Sequence, residues 1–305
     1  MIRCRAQRGE HIDAGWARAL VPVLLLATLG LAGCTPPTPT ATPLPSASPA
    51  PPTATPEPLA ASVNGEGIPL VEWDSQVTQY IEARTALGEA VAEEDASTAV
   101  LDDLIAQVLL AQAARQAGFE LSPEDLEQRT QDLEKELGGP AKLTAWQSSH
   151  GYSDATFPLA LRRSVEAAYM RDQIASAVPR TAEQVHVQQI LLYNEGDATR
   201  IFNQLQGGVD FDLMAAAVDP RTRGELSWFP RGYLLELAIE EAAFSMEVGE
   251  VSEIIPTDVG YHIIKVLERD ENHPLSPDAY LALQERALRD WVAQQRLEAT
   301  VILAP

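Results

Sequence analysis

Residues 257–266 read Thr-Asp-Val-Gly-Tyr-His-Ile-Ile-Lys-Val, a turn followed by aromatic and β-branched residues that suit a strand. This run sets one imidazole, His262, among side chains that ordinarily fill a sheet core, an unusual position for a residue more often solvated or at a site. The preceding eighty residues alternate strand and helix signals. Residues 185–192 read as a strand, 197–205 as a helix closed by Gly207 and Gly208, and 211–217 as a further turn of helix. Residues 226–229 are extended, 236–244 helical, and 251–256 and 261–268 are strands. The expected unit is a small α+β domain of about ninety residues.

Ahead of it the chain reads as mainly helical. Residues 61–68 suggest a strand and a tight turn, with Asn64 and Gly65 able to take positive φ. Ser97 is placed to cap a helix whose Val100, Leu101, Leu104, Ile105, Val108 and Leu109 recur at helical spacing, ending at Gly118. Ser122, Pro123, Glu124 and Asp125 form a second start signal. Pro140 opens a short helix that stops at Gly151, and Ser153 opens a longer one that Pro179 ends. Beyond Pro274, Ser276 starts a last helix with a wide apolar face through Tyr280, Leu281, Leu288, Trp291 and Leu297. A stripe that long must be buried.

The first sixty residues differ in kind. Arg3, Arg5, Arg8 and Arg18 precede an apolar run from Ala19 to Leu31, the layout of a secretory signal. Residues 35–58 are almost wholly Pro, Thr, Ala and Ser, with Glu57 the only charge. Such a segment has nothing to bury and spans up to roughly 75 Å as an extended stalk. The words Leu31-Ala32-Gly33-Cys34 resemble the lipobox of bacterial lipoproteins, which implies that Cys34 is acylated. An uncleaved anchor with an incidental cysteine is the alternative, and it too tethers the chain outside the cytoplasm. Cys4 and Cys34 are the only cysteines, so cleavage and acylation leave none for a disulfide.

Setting aside residues 1–33, with their four arginines and two acids, leaves 18 basic against 42 acidic side chains. That balance argues against nucleic acid as a partner. No nucleophile elbow, zinc spacing, phosphate loop or calcium loop is present in the sequence.

Several words carry a family resemblance. Ser62-Val63-Asn64-Gly65-Glu66, Leu101-Asp102-Asp103-Leu104-Ile105, Gly139 to Leu143 and Gly151-Tyr152-Ser153 resemble the amino-terminal region of the SurA and PrsA group of extracytoplasmic foldases. Gly207-Gly208-Val209-Asp210-Phe211, Gly224-Glu225-Leu226-Ser227-Trp228-Phe229, Ala242-Ala243-Phe244, Gly249-Glu250-Val251-Ser252 and Gly260-Tyr261-His262-Ile263-Ile264 resemble the parvulin peptidyl-prolyl isomerases, in the same order. The resemblance implies an α+β architecture: a parvulin-like domain with a small antiparallel sheet, plus a helical SurA-like domain completed by the C-terminal helix. The expected boundaries are a signal at 1–33, a stalk at 34–58, a helical domain at 59–178, a parvulin-like domain at 179–270 and the returning helix at 271–305.

The implied chemistry is rotation about the bond before proline, which faces a barrier of roughly 18–20 kcal/mol. No bond breaks, so neither cofactor nor metal is required. The family's pocket holds two facing strand histidines, an Asp or Cys after a short helix, and large apolar side chains. His262 matches the second histidine, and Gln189 stands where the first is expected. His186 lies three residues from Gln189, an odd offset that puts it on the other face of a strand. Asp219 is the carboxylate nearest the acidic position, in a segment about three residues short, and a turn residue before Pro220 is an equal reading. Leu235 and Ile239 fall near the family's apolar pair and are the preferred proline contacts. Trp228 and Phe244 match family positions too, although core packing suits both better.

Two functions follow from the resemblance. One is a peptidyl-prolyl isomerase and chaperone for secreted polypeptides containing X-Pro bonds, lipid-anchored to the cell membrane. The other is a catalytically weak holdase that binds unfolded clients between its two domains. A stalked assembly partner that keeps the fold only as a scaffold is a third, weaker reading.

Overall fold

The computed structural model describes residues 57–304. The signal-like segment 1–33, Cys34 and all of the Pro/Thr-rich segment except its last two residues lie outside them.

The described chain opens with a hairpin, β1 (Leu59–Val63) and β2 (Glu66–Pro69), turned by Asn64 and Gly65 at φ 52° and 85°. Five helices follow: α1 (Leu70–Ala86), α2 (Glu93–Gln116), α3 (Pro123–Leu137), α4 (Pro140–Ser149) and α5 (Phe157–Ser176). Val63, Ile68, Leu104, Ile105 and Val108 make the core beneath the hairpin, with Trp73 and Tyr80 of α1 packed against it.

Helix α1 was not foreseen from the sequence. It starts after Pro69 without a side-chain cap and buries only Glu72 and Val77 fully, so neither a start signal nor a broad apolar stripe announces it. Helix α2 begins at Glu93, a turn before Ser97, and has no side-chain cap. Glu93, Glu94 and Asp95 stand in its first turn, where acids favour the positive end of the helix dipole. Ser122 does cap α3, accepting from the Asp125 N–H at 3.0 Å. Ser153 sits one turn ahead of α5, in a reciprocal pair with Thr156 in which each hydroxyl accepts the other's N–H.

The second part is built on β3 (Thr181–Leu192), α6 (Glu195–Gln206), α7 (Phe211–Val218), β4 (Glu225–Pro230), α8 (Leu237–Ser245), β5 (Ile255–Thr257) and β6 (Gly260–Pro274). The four strands form an antiparallel sheet in the order β4-β3-β6-β5. Val185, Val187, Ile264, Val266 and Phe229 face α8. Ile190 and Ile263 face α6 and α7. This alternation gives the central strands one apolar set per face. β6 runs past the expected end near Glu268 because the start of β3 keeps pairing with it, Thr181 opposite Pro274.

Helix α9 (Pro277–Glu298) is capped by Ser276 and lays Leu288, Trp291 and Val292 against Leu110, Ala111 and Ala167 of α2 and α5. The chain then adds β7 (Val301–Leu303), which pairs with β1 and makes a second sheet in the order β2-β1-β7. Val301 and Ile302 favour a strand, but three residues after a helix are too short a run to announce one. Only the waiting edge of β1 makes them one.

Candidate active site

Gln189 of β3 and His262 of β6 stand on the α8 face of the sheet, one strand apart. The imidazole is buried, 3% exposed. Its Nδ1 lies 2.9 Å from the Gln189 Oε1, and its Nε2 lies 3.0 Å from the Thr257 Oγ1. An amide oxygen only accepts, so in this arrangement Nδ1–H donates to Gln189, and the single Thr257 hydroxyl proton is shared between Nε2 and the Gly260 carbonyl, 3.2 Å away. Burial pushes the His262 pKa below its usual value, opposed by the nearby Glu236 carboxylate. The lowered pKa favours the neutral ring, whose proton then sits on Nδ1 toward Gln189.

The position of Gln189 is fixed by backbone. Its N–H donates to the Gly224 carbonyl at 2.7 Å. Gly224 has φ +72°, and a Cβ there would fall 1.8 Å from the Gln189 carbonyl oxygen. Only glycine allows that approach.

Gln189 also lines a cavity of about 450 Å³ with Leu191, Tyr193, Ala215, Val218 and Asp219, and neither His262 nor Thr257 is among its lining residues. Asp219 therefore shares a cavity with Gln189. Its carboxylate is already engaged, accepting from the N–H groups of Arg221 and Thr222 at 3.0 and 3.2 Å and from the Thr222 hydroxyl. Those bonds hold its pKa below the ordinary carboxylate range. The side chain closes its own turn while facing the cavity.

The apolar wall departs from expectation in two places, at Leu235 and Trp228. Leu235 is 98% exposed and packs in neither apolar cluster of the domain. Its neighbour Leu234 is the one partly buried against the α8-side core. Trp228 pairs with His186 while Phe229 points into that core, so alternation puts the indole on the opposite face from His262. There it stacks on His273 at 4.1 Å and on His186 at 5.4 Å, as neither a proline contact nor a core residue. Phe244 is buried edge-on to Phe229 at 6.1 Å and belongs to the core. Ile239 is buried in the same cluster, on α8. His186 is satisfied by Glu225 and Glu268 on the face away from His262.

Sequence reasoning passed over Thr257, Glu236 and Glu240. Thr257 was legible in principle, because the short turn through Asp258 and Val259 sets it opposite Gly260, beside the histidine's strand. Glu240 is a carboxylate inside an apolar helix word. Buried on α8, it accepts the N–H groups of Gly232, Tyr233 and Leu234 at 2.6, 3.1 and 3.2 Å. It thereby fixes the loop that leads to Leu234 and Glu236. Among the described residues no group of three or more His, Cys, Asp or Glu could hold a metal.

The arrangement offers neutral hydrogen-bonding groups beside a cavity, and no activated nucleophile. It can orient and polarise an amide, and it is not built to cleave one.

Two stretches of the chain match known protein families. Residues 193–268 match the PPIC-type PPIase domain, and residues 53–151 match the SurA-like N-terminal domain. The foldase protein PrsA of Caldanaerobacter subterraneus subsp. tengcongensis is 28% identical over 233 residues, covering 68% of this chain and 72% of that protein. The periplasmic chaperone PpiD of Haemophilus ducreyi is 28% identical over 60% of this chain but only 32% of its own length. A crystal structure of the peptidylprolyl isomerase PrsA from Bacillus cereus, 22% identical, aligns over 68% of this chain and 82% of that one with a TM-score of 0.42. The chain joins a SurA-like amino-terminal domain to a PPIC-type, parvulin peptidyl-prolyl isomerase domain and is similar to foldases named PrsA.

Proposed function

We propose that this protein isomerises X-Pro bonds in unfolded or partly folded secreted polypeptides, outside the cytoplasm, and holds those chains while they fold. The observation that carries the reading is the Gln189–His262–Thr257 hydrogen-bond chain beside the cavity that Gln189 and Asp219 share. Twisting a prolyl amide returns a lone pair to nitrogen and removes conjugation from the carbonyl. A fixed neutral donor or acceptor favours that state over the planar one.

In this reading Gln189 meets the substrate amide, and His262 and Thr257 act as positioning residues that orient it from behind. Asp219 borders the substrate, while Leu234 and Ile239 back the apolar side. Glu240 keeps the adjoining loop in place. A second reading, a holdase with weak isomerase activity, is favoured by the buried state of His262 and by Gln189 in the place of a histidine.

Cys34 is the proposed lipid attachment site, with residues 35–58 as the spacer from the membrane. That part rests on the composition of the first sixty residues. Membrane partitioning that survives Cys34→Ser would remove it.

Proline-limited refolding of a ribonuclease tests the enzyme. Acceleration by the protein is expected, with a fall of about tenfold in kcat/KM for His262→Ala, equivalent to about 1.4 kcal/mol. No acceleration by the unaltered protein sinks the isomerase reading. Failure to suppress aggregation of a heated client sinks the holding reading separately.

A further inference from the structure

The amino-terminal sheet leaves one strand edge open above a cavity. In the order β2-β1-β7, β2 is at an edge. The Asn64 N–H donates to the Thr300 carbonyl and the Ala304 N–H to the Ala60 carbonyl, so the even-numbered residues of β1 bond to β7. Ala61 and Val63 then bond to β2, and Gly67, opposite Ser62, turns its N–H and C=O outward. No hydrogen bond to either group from outside the hairpin occurs among the described residues.

Beside that edge lies a cavity of about 530 Å³, lined by Gly67 and Pro69 from β2 and by Leu159 and Arg163 from α5. Its wall carries three guanidiniums, from Arg115, Arg162 and Arg163, against the carboxylates of Glu57, Glu66, Glu72 and Glu166. The buried Arg163 pairs with Glu72 and the buried Glu166 with Arg115, which also reaches Glu66 at 2.6 Å, while Arg162 donates to the Leu121 carbonyl. Among the buried donors of this wall, the Arg163 Nε has no partner. At the mouth Leu59 and Leu159 are 42% and 67% exposed.

A free anion would meet more carboxylates than guanidiniums here. A group that supplies one N–H and two C=O acceptors, carries no charge and arrives with an apolar side chain matches every unmet demand. An extended polypeptide backbone is such a group, and adding a strand to an open edge is an established mode of peptide recognition. We infer that the β2 edge and this cavity form a docking site for an extended, uncharged segment of an unfolded polypeptide. Gly67 pairs with its backbone, the Arg163 Nε takes a further carbonyl, and Leu59 and Leu159 cover an apolar side chain. Pro69 has no N–H to offer, so the ladder is short and the hold is brief. The inference rests on the holding activity proposed above and assigns it a location apart from the isomerase cavity.

The test uses the full chain with p-benzoyl-phenylalanine at position 159, or at position 87 as a control of similar exposure, since Leu87 is 74% exposed at the end of α1. The probe is fluorescently labelled α-lactalbumin, reduced and carboxamidomethylated so that it stays unfolded. Crosslinking from position 159 is expected to exceed that from position 87 by about fivefold. Gly67→Pro removes the outward N–H without touching a bond to β1, and its ring displaces only the free end of Leu59, 2.7 Å from the Cβ position. It is expected to weaken probe binding about fivefold by anisotropy. Leu159→Asp, an exposed helix position that leaves the hairpin untouched, is expected to weaken binding as well. Equal crosslinking from the two positions, or unchanged affinity in both variants, overturns the site while the unaltered protein still binds the probe. If the unaltered protein does not bind the probe at all, the holding activity itself fails, and the site with it.

Discussion

The two halves of this protein pair their buried polar groups differently, and the buried carboxylate of the parvulin domain, Glu240, is met by backbone N–H groups rather than by a cation. The parvulin domain buries a neutral chain, Gln189–His262–Thr257, in which every bond joins uncharged partners. The helical domain buries charge: Glu72 and Arg163 are 3% and 8% exposed at the side chain, and Glu166 is held by Arg115. A buried ion pair locks elements together because neither member can be left alone in a low dielectric. A neutral chain can exchange partners at low cost, so an incoming amide can compete for Gln189. The ionic network therefore belongs to a scaffold, and the neutral one to a site that must open to substrate.

Breaking the ionic side should have the largest effect. Arg163→Met strands Glu72 and is expected to lower stability by about 3–5 kcal/mol, read as a fall in the denaturation midpoint. Pairing it with Glu72→Leu should recover most of the loss. If the single substitution is harmless, the contrast between the halves collapses.

Breaking the neutral side should leave the fold intact and act on turnover. Gln189→Leu is expected to reduce kcat/KM about tenfold and, by leaving the buried His262 Nδ1–H without its acceptor, to cost about 1–3 kcal/mol of stability. Gln189→His, which restores the resembling family's pair, should not reduce it. Loss of activity in Gln189→His would show that the amide itself is required.

Protonation separates the halves further. The folded His262 pKa lies below the unfolded value, so the unfolded chain binds the extra proton first as pH falls. Its contribution to stability is complete above about pH 6.5 and is lost as pH drops through the folded pKa. Urea titrations from pH 7 to 4 should show that slope, and it should be reduced in His262→Gln.

The smallest effect is expected at the alkaline end. Burial and the Glu72 carboxylate push the Tyr152 phenol up to about 12, and its hydroxyl donates to Glu72 at 3.2 Å. The folded state keeps that proton longer than the unfolded one, so the contribution is complete below about pH 10 and lost as pH rises through the folded value. Tyr152→Phe should cost about 1 kcal/mol at pH 8 and flatten the alkaline loss.

Much of this was readable before any coordinates. The hairpin turn at Asn64-Gly65, the Ser122 and Ser276 caps, the strand bearing His262 and the outward face of His186 all follow from local rules. Each depends on a short stretch of backbone and its immediate hydrogen bonds. What escaped depends on distant partners. Helix α1 has a weak stripe, and β7 is a strand only because β1 accepts it. Leu235 and Leu234 are adjacent in the chain, and their exchange of exposure is set by the Glu240 carboxylate holding the loop, six or more residues away. Trp228 matches a family word, yet strand alternation relative to Phe229 places it on the other face.

By itself the sequence determined the class of fold and the order of most of its elements, and its family resemblance put a glutamine where a second histidine is expected. Periodicity, caps and turn residues act over a few bonds and survive without tertiary context. Tertiary structure alone decided that Gln189 touches His262, that Thr257 completes the chain, that Asp219 spends its carboxylate on its own turn, and that Gly67 faces an open edge. Those outcomes turn on which group reaches a partner first in a crowded interior. A hydrogen bond or a buried charge is settled by ångströms that no spacing in the chain encodes.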